Sequence, residues 1–425
     1  MRRFGDQTFR SLRVRNYRLY FLSQIVSVSG TWMQSVAQAW LVLRLAPPGR
    51  QGVDLGVVTA LQFLPMLLFG TYGGLVADRV DKRRLLYATQ STAGVLALVL
   101  GLLTSVGAVR LWEVFLLAAG LGFVNMVDNP ARQTFVMEMV GRDDLPNAVS
   151  LNSVVMNASR VIGPAIGGAL IAFVGLAVCF EVNAASYLAV IVGLSLMRRG
   201  ELHRSPPVAR ARGQLREGLR YVWGTPALRD PLLLVAVVGT LAYNFQVVLA
   251  LLAKLTFHGG AGVYSALTSL MGGGAVIGGL VVAGRNRPSV QRLTAIGIGF
   301  GVLILAVALS PTLVVAGVVL VPMGALSIAF IATANATLQL QAAPAMRGRV
   351  MALYAIAFLG TTPIGSPLVG WISQAASPRV ALGVGAFATV AAAVVTRLVG
   401  TGGRRRRPLP LAVEEHEPGT AMGAA

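Results

Sequence analysis

The sequence predicts an all-α membrane protein of twelve transmembrane helices arranged as two pseudo-symmetric six-helix bundles. Three observations lead there. First, 55% of the 425 residues are hydrophobic and only 12% are charged, with a mean hydropathy of +0.70, a composition outside the soluble range. The apolar residues gather into runs of roughly 18 to 27, the length that carries a helix across about 30 Å of hydrocarbon. Second, the Lys and Arg residues fall on one side of those runs. Third, the two halves of the chain repeat one another.

The spans read in order as 19–43, 53–77, 85–105, 111–127, 148–174 and 178–197, then 232–253, 263–283, 293–309, 313–338, 350–371 and 380–398. The first is too long for a signal-peptide core and does not end in a small-residue cleavage site, so it is expected to persist as a helix. Residues 1–197 form the first bundle, 198–230 a cytoplasmic linker, 231–400 the second bundle, and 401–425 a disordered cytoplasmic tail that opens on Arg404, Arg405, Arg406 and Arg407. The linker carries eight Arg, Pro206, Pro207 and an amphipathic patch at 215–223 suited to lying partly on the membrane surface.

A net charge of +20 raises the question of a polyanionic partner, which the position of the charges answers. With the N-terminus inside, Arg2, Arg3, Arg10, Arg13, Arg15 and Arg18 are cytoplasmic, and later inside loops collect most of the rest. Only Arg44, Arg50, Arg110, Lys254 and Arg379 fall outside, and Arg160 lies within a span. This is the positive-inside rule. Basic residues divided among loops do not form a nucleic-acid face, so no nucleic-acid partner is expected.

Internal similarity supports the two halves. Gly73, Gly74, Leu75, Val76, Ala77, Asp78, Arg79 recurs as Gly278, Gly279, Leu280, Val281, Val282, Ala283, Gly284, Arg285, displaced by 205 to 206 positions. Gly163, Pro164, Gly167 is matched by Gly365, Pro367, Gly370, with the proline displaced by 203. A near-constant offset between glycine-rich segments is the mark of a repeat transporter fold.

Gly74, Ala77, Asp78, Arg79, Lys82, Arg83 and Arg84, between the second and third spans, resemble the signature loop of the major facilitator superfamily. The resemblance implies that this loop gates the cytoplasmic side, with Asp78 meeting helix N-terminal N–H groups or Arg side chains across the bundle. Ordinary membrane-edge charge is the alternative. The chain departs from the family pattern in having Asp81 where glycine is usual, which puts the tight turn in doubt unless Asp81 forms an Asx turn.

Ser159, Gly163, Pro164, Gly167 and Gly168 resemble the Gly-Pro helix motif of antiporters in that superfamily, and equally suit plain close packing. Asn129, Pro130, Ala131, Arg132 and Gln133, with Glu138, Leu145, Asn147, Asn152, Asn157 and Arg160, resemble the drug and proton antiporter branch that includes macrolide exporters and the enterobactin exporter. Arg347, Gly348, Arg349, Val350, Met351, Leu353 and Tyr354 extend the resemblance. It implies a secondary transporter driven by protons.

Ionisable groups inside a bilayer are costly enough to invite a functional reading. Asp128 and Arg132, four residues apart, share a helix face and can pair. Arg160 is deep enough to want an acidic partner, with Asp128 and Glu138 as candidates. Two readings stay open: Asp128 carries the coupling proton with Arg160 modulating it, or a static ion pair locks helices together. A polar stripe of Gln24, Ser27, Thr31, Gln34, Ser35 and Gln38 on the first span should face a central cavity. Asn125, Asn152, Met156, Tyr243, Asn244, Gln246, Asn335 and Gln339 are further cavity candidates. Amides and aromatics without a dense charge cluster suit a bulky amphipathic substrate, although polar stripes also serve as interhelical ties.

Other chemistries lack their residues. The lysines are Lys82 and Lys254, neither in a phosphate-binding loop. His203, His258 and His416 are scattered, so neither metal nor cofactor is expected. No nucleophile motif occurs, and an enzyme is not expected. Cys179 stands alone, which suits small apolar packing. With 34 Arg beside two Lys and abundant Ala and Gly, the composition points to a GC-rich bacterial genome. The expectation is a monomeric, multi-pass protein of the bacterial inner membrane, both termini cytoplasmic, exporting a small drug-like compound or siderophore. Import or lipid movement by the same architecture, or a non-transporting membrane interaction role, remain alternatives.

Overall fold

The computed structural model describes residues 9–203, 214–285 and 288–403, and those residues are helical or in turns, with no strand among them. Arg404 to Arg407 and most of the expected tail lie outside the described residues, as does 204–213 of the linker. Ten helices among the described residues are long and apolar enough to cross a membrane. The sequence predicts twelve, and two elements bear on that number. The helix Arg15–Leu45 (α1) is too polar along its stripe to be among the ten. The run Leu111–Phe173 is 63 residues of nearly unbroken helix, which at 1.5 Å per residue would extend about 95 Å, some three bilayer cores. It is interrupted at Gly141, whose φ of 74° and ψ of −175° lie outside the helical region. Only glycine adopts this combination without strain. We number the two arms separately, α4 as 111–140 and α5 as 142–173.

The remaining helices are α2 (Gln51–Arg79), α3 (Lys82–Ser105), α6 (Leu176–Ser195), α7 (Gln214–Gly224) and α8 (Pro226–Leu241). They continue with α9 (Phe245–Leu251), α10 (Ala261–Arg285), α11 (Val290–Ala308), α12 (Leu313–Gln341), α13 (Arg347–Phe358), α14 (Thr362–Ala375) and α15 (Pro378–Gly403). α8 and α9 form one apolar stretch, as do α13 and α14. Their breaks meet: a Cβ on Gly239 of α8 would lie 2.9 Å from the carbonyl of Phe358 and from the Thr361 hydroxyl.

Two faces are defined by what gathers there. At one, Arg15 Nη1 donates to Leu196 O (2.9 Å), Asn16 Nδ2 to Arg198 O (3.0 Å), and Arg10 pairs with Asp144 (2.6 Å). This is the basic face. At the other, Gln51 Nε2 and Lys254 Nζ both donate to Leu43 O, and Arg379 Nη2 donates to Ser310 O (2.7 Å). The amphipathic helix α7 docks at the basic face by an Arg349–Glu217 pair (2.7 Å) and a bond from Ala343 N to the Tyr221 hydroxyl (3.2 Å). Its Val222 is buried while Leu219 and Trp223 face outward, as an interfacial helix requires.

Bilayer lipid is as apolar as leucine, so helices associate through close packing rather than hydrophobic burial. α1 packs on α5 and α6, α3 on α6, α10 on α12, and α11 on α12 and α15. Two contacts connect helices before residue 203 with helices after residue 214 on a large scale, α2 with α14 and α5 with α10. Both tighten toward the face opposite the basic one. Gly52 N donates to Gln374 Oε1 (3.1 Å), and the backbones of Gly52 and Gly370 approach so closely that a Cβ on Gly370 would stand 2.0 Å from Gly52 O. In the second seam a Cβ on Gly168 would meet Ser265 Cβ at 2.6 Å, and Ser269 Oγ donates to Val161 O (3.3 Å).

Gly370→Ala therefore has no room without moving a backbone. It is expected to destabilise the protein by about 1–3 kcal/mol, read as a lower melting temperature in detergent. Gly383→Ala, with no atom within 4 Å of its added Cβ, should leave melting unchanged.

Candidate functional site

The signature-loop residues act within the first group of helices. Asp81 is the N-cap of α3: its Oδ1 accepts from Arg84 N at 3.0 Å, with φ −55° and ψ 113°. The backbone there has no positive φ, so aspartate supplies what the family's glycine would not, a side-chain acceptor for an orphan N–H. Lys82 Nζ pairs with Glu138 Oε1 of α4 at 2.7 Å, with only 10% and 8% of the two side chains exposed. Arg83 donates from Nε to Leu194 O (2.8 Å) and from Nη2 to Ser195 O (3.1 Å). Those carbonyls end α6, where a cation is favoured by the helix dipole. Gly74 is buried, Asp78 half-buried, and Arg79 and Arg84 exposed. Lys82 and Arg83 thus tie α3 to α4 and α6.

Two to three turns deeper lies a second charged pair. Asp128 is 1% exposed, and both of its oxygens are engaged. Oδ1 accepts from Thr89 Oγ1 (2.6 Å) and Gln90 Nε2 (2.8 Å) of α3, and Oδ2 from Arg132 Nε (3.0 Å) and Nη2. Arg132 Nη1 in turn donates to Gln24 Oε1 of α1. A buried carboxylate without such partners would be untenable in this setting. The network therefore connects α1, α3 and α4 through one titratable group.

Beside it is a cavity of about 210 Å³ lined by Thr31, Trp32, Gln34, Ser35 and Gln38 of α1, Gln62, Phe63 and Met66 of α2, Leu121, Asn125 and Asn129 of α4, Tyr187 of α6 and Gln246 of α9. Asn129 adjoins Asp128 in the chain and Asn125 lies one turn before it. The structure brings together six of the residues expected in a cavity, Thr31, Gln34, Ser35, Gln38, Asn125 and Gln246. Gln24 lies instead under Arg132. Asn244 is buried, donating to Thr240 O (2.7 Å) and accepting from Ser366 Oγ (2.7 Å). Tyr243 packs edge-on against Phe245 and Phe358 at 5.2 and 4.9 Å. Asn335 and Gln339 bond to each other (2.7 Å). Asn152 and Met156 of α5 do not line the cavity, and Met156 is exposed. Their polarity is used for helix ties or faces another direction.

Arg160 also differs from expectation. Asp128 and Glu138 are taken by Arg132 and Lys82, and the Arg160 guanidinium lies over the Trp32 ring, 5.0 Å from its centroid. The Gly-Pro segment holds this geometry. Ser29 Oγ donates to Ser159 Oγ (3.0 Å), and a Cβ on Gly163 would meet Trp32 Cβ at 2.5 Å and Ser29 O at 2.6 Å. Gly167 faces Met33 of α1 and Gly168 faces α10, while Pro164 lies inside α5. Gln62, Phe63, Met66 and Tyr187 gave no signal in sequence, being single residues in otherwise apolar spans. Asn129 and Trp32 stood next to residues that did.

Residues 6–401 match the family described as transmembrane secretion effector. The chain belongs to this family, a branch of the major facilitator superfamily. It is 28% identical to the multidrug efflux pump Tap of Mycolicibacterium fortuitum over 84% of this chain and 89% of that one. It is 25% identical to the enterobactin exporter EntS of Shigella flexneri over 93% and 94%. A match to the staphyloferrin A transporter of Staphylococcus aureus, 30% identical, spans less than half of either chain, 42% and 45%. Among solved structures, a bacterial homologue of the human lysosomal transporter Spinster, inward-facing and occupied, superposes with a TM-score of 0.70 at 16% identity, covering 95% and 99%. The nucleoside transporter NupG gives 0.70 at 13%, covering 92% and 99%. These likenesses establish the fold. The family and its relatives are transporters rather than enzymes, so this secretion-effector protein is a multi-pass membrane transporter of a small molecule.

Removing one member of the Lys82–Glu138 pair strands the other. Glu138→Gln is expected to cost about 3–5 kcal/mol and to lower folded yield and melting temperature. The double variant Lys82→Met, Glu138→Met should recover most of that loss, measured in the same detergent.

Proposed function

We propose that this secretion-effector protein exports a small amphipathic organic compound, drug-like or siderophore-like, in exchange for protons, by alternating access in the bacterial cell membrane. The observation that carries the reading is adjacency. An amide- and aromatic-lined cavity stands one helical turn from the buried Asp128–Arg132 pair. Export is the direction named for Tap and EntS, which match this chain along most of its length.

In this reading Arg15–Leu45 and the ten apolar helices, with Leu111–Phe173 divided at Gly141, make twelve spans. Residues 1–197 and 231–400 are two six-helix bundles, 198–230 is the linker, and both termini are cytoplasmic, the basic face lying inside. The protein works as a monomer with no nucleic-acid partner. The α2–α14 and α5–α10 seams close the external end, and transport requires them to part while the opposite end shuts.

Asp128 takes and releases the coupling proton. While it is ionised, Arg132 is held between it and Gln24, so α1, α3 and α4 form one unit. Protonation removes the counter-charge of Arg132 and weakens its hold on the unit. Substrate entering beside Asn125 and Asn129 is positioned to act on the same pair. Arg132 and Glu138 support this role from either side, Glu138 by anchoring Lys82.

The test uses inside-out vesicles and a panel of amphipathic aromatic compounds, some anionic, some neutral and some cationic. Wild type should accumulate at least one of them under an imposed pH gradient and lose that accumulation with a protonophore. Asp128→Asn should lose at least about tenfold of the gradient-driven accumulation while still exchanging labelled for unlabelled compound. Protonophore-sensitive accumulation undiminished in Asp128→Asn would overturn the coupling assignment.

A further inference from the structure

We infer that Arg160 is a specificity-determining residue that makes the cavity select organic anions, carboxylate-bearing aromatic compounds in particular, over organic cations. The inference rests on the transport reading above and concerns what charge the substrate carries.

The lining of the cavity contains no Asp or Glu. Its amides accept and donate alike, so they leave charge undecided. Charge is decided by what stands just behind the wall. Trp32 lines the cavity, and its ring carries the Arg160 guanidinium at 5.0 Å. The Arg160 Nε is buried with no hydrogen-bond partner.

The carboxylates that could neutralise Arg160 are engaged elsewhere. Asp128 is paired with Arg132, Glu138 with Lys82, and Asp54 with Arg50 at 3.6 Å. Glu181, at the start of α6, packs beside Gly101 of α3. A guanidinium over an indole has a cation–π partner, but this satisfies none of its five planar donors. Such a group in a low-dielectric wall imposes a positive potential on the space in front of it.

The backbone holds Arg160 in place from both sides. Gly163 abuts Trp32 and Ser29 of α1, and a Cβ on Gly272 of α10 would lie 2.9 Å from Arg160 O. Asn152 and Met156 precede Arg160 at intervals of four on α5 and do not line the cavity, so the guanidinium is approached from the cavity by way of Trp32. A carboxylate entering the cavity on an aromatic body finds rings to stack on and, past the Trp32 edge, a fork of donors matched to its two oxygens. An ammonium ion finds the same rings with a like charge behind them.

The experiment is equilibrium dialysis of the purified full-length protein in nanodiscs with three probes built on one ring system, 2-naphthoate, 2-naphthamide and 2-(aminomethyl)naphthalene as its ammonium ion. Wild type should bind naphthoate at least about tenfold more tightly than the ammonium probe. Arg160→Gln should remove that preference while leaving naphthamide binding within about twofold, and Arg160→Lys should retain part of it. A purely structural role for Arg160 predicts instead that all three probes weaken together.

The inference is overturned if wild type binds none of the three, if it binds them without charge preference, or if Arg160→Gln keeps the anion preference. Should Arg160→Gln fail to fold, Arg160→Met takes its place, and an anion preference kept in full by that variant overturns the inference. Failure of the transport reading looks different. Vesicles would then accumulate no compound of any charge, whereas failure of the Arg160 assignment alone leaves accumulation intact across charge classes.

Discussion

A charge inside an apolar environment is costly unless it is matched, and two matched pairs order the packing of α1, α3 and α4. Lys82 reaches Glu138 and Arg132 reaches Asp128, the second pair being completed by hydrogen bonds from Thr89 and Gln90 and to Gln24 on two other helices. Coulomb attraction in such a medium is several times stronger than at a water-exposed surface, but the desolvation that accompanies it is larger still. The pairs therefore contribute less to stability than to uniqueness. The Lys82–Glu138 pair and the bonds that join Thr89, Gln90 and Gln24 to the Asp128–Arg132 pair are satisfied in one mutual arrangement of α1, α3 and α4, and a helix that slid by one turn would break them.

Glycine supplies the complementary constraint between helices. Without water to drive apolar surfaces together, contact strength depends on how near two backbones come. The seams at Gly52 and Gly370, and at Gly168 and Ser265, permit an approach that a single methyl group would prevent. Dispersion forces at that distance are individually weak and numerous. A contact of this kind carries few polar bonds, here those from Gly52 N and Ser269 Oγ. The charged pairs lie inside one group of helices and the glycine seams lie between groups.

Much of this was legible in the residues. The spans announced themselves by length, the basic face by its arginines, and the Asp128–Arg132 pair by a spacing of four. Asp81, flagged as a departure from the family pattern, is accommodated by an ordinary N-cap. Other features were hidden for physical reasons. The long extension of α4 and α5 beyond the apolar runs is invisible to hydropathy because its polar residues, Arg132 and Glu138 among them, are helical and paired. Gln62 and Tyr187 line the cavity by the rotation of their helices, which a lone polar residue does not reveal. The match between Arg160 and Trp32 joins residues 128 apart in sequence, across a packing contact no local pattern encodes.

The break at Gly141 has a mechanical consequence. Two long helices joined by a single residue share one pivot with two rotatable bonds, so they behave as the arms of a crank rather than as independent rods. One arm carries Asp128. The other carries the seam at Gly168. A change of tilt in α5 would be delivered to α4 with almost no slack, and the leverage of a helical arm about 45 Å long would turn a small rotation at the pivot into ångströms at the far end.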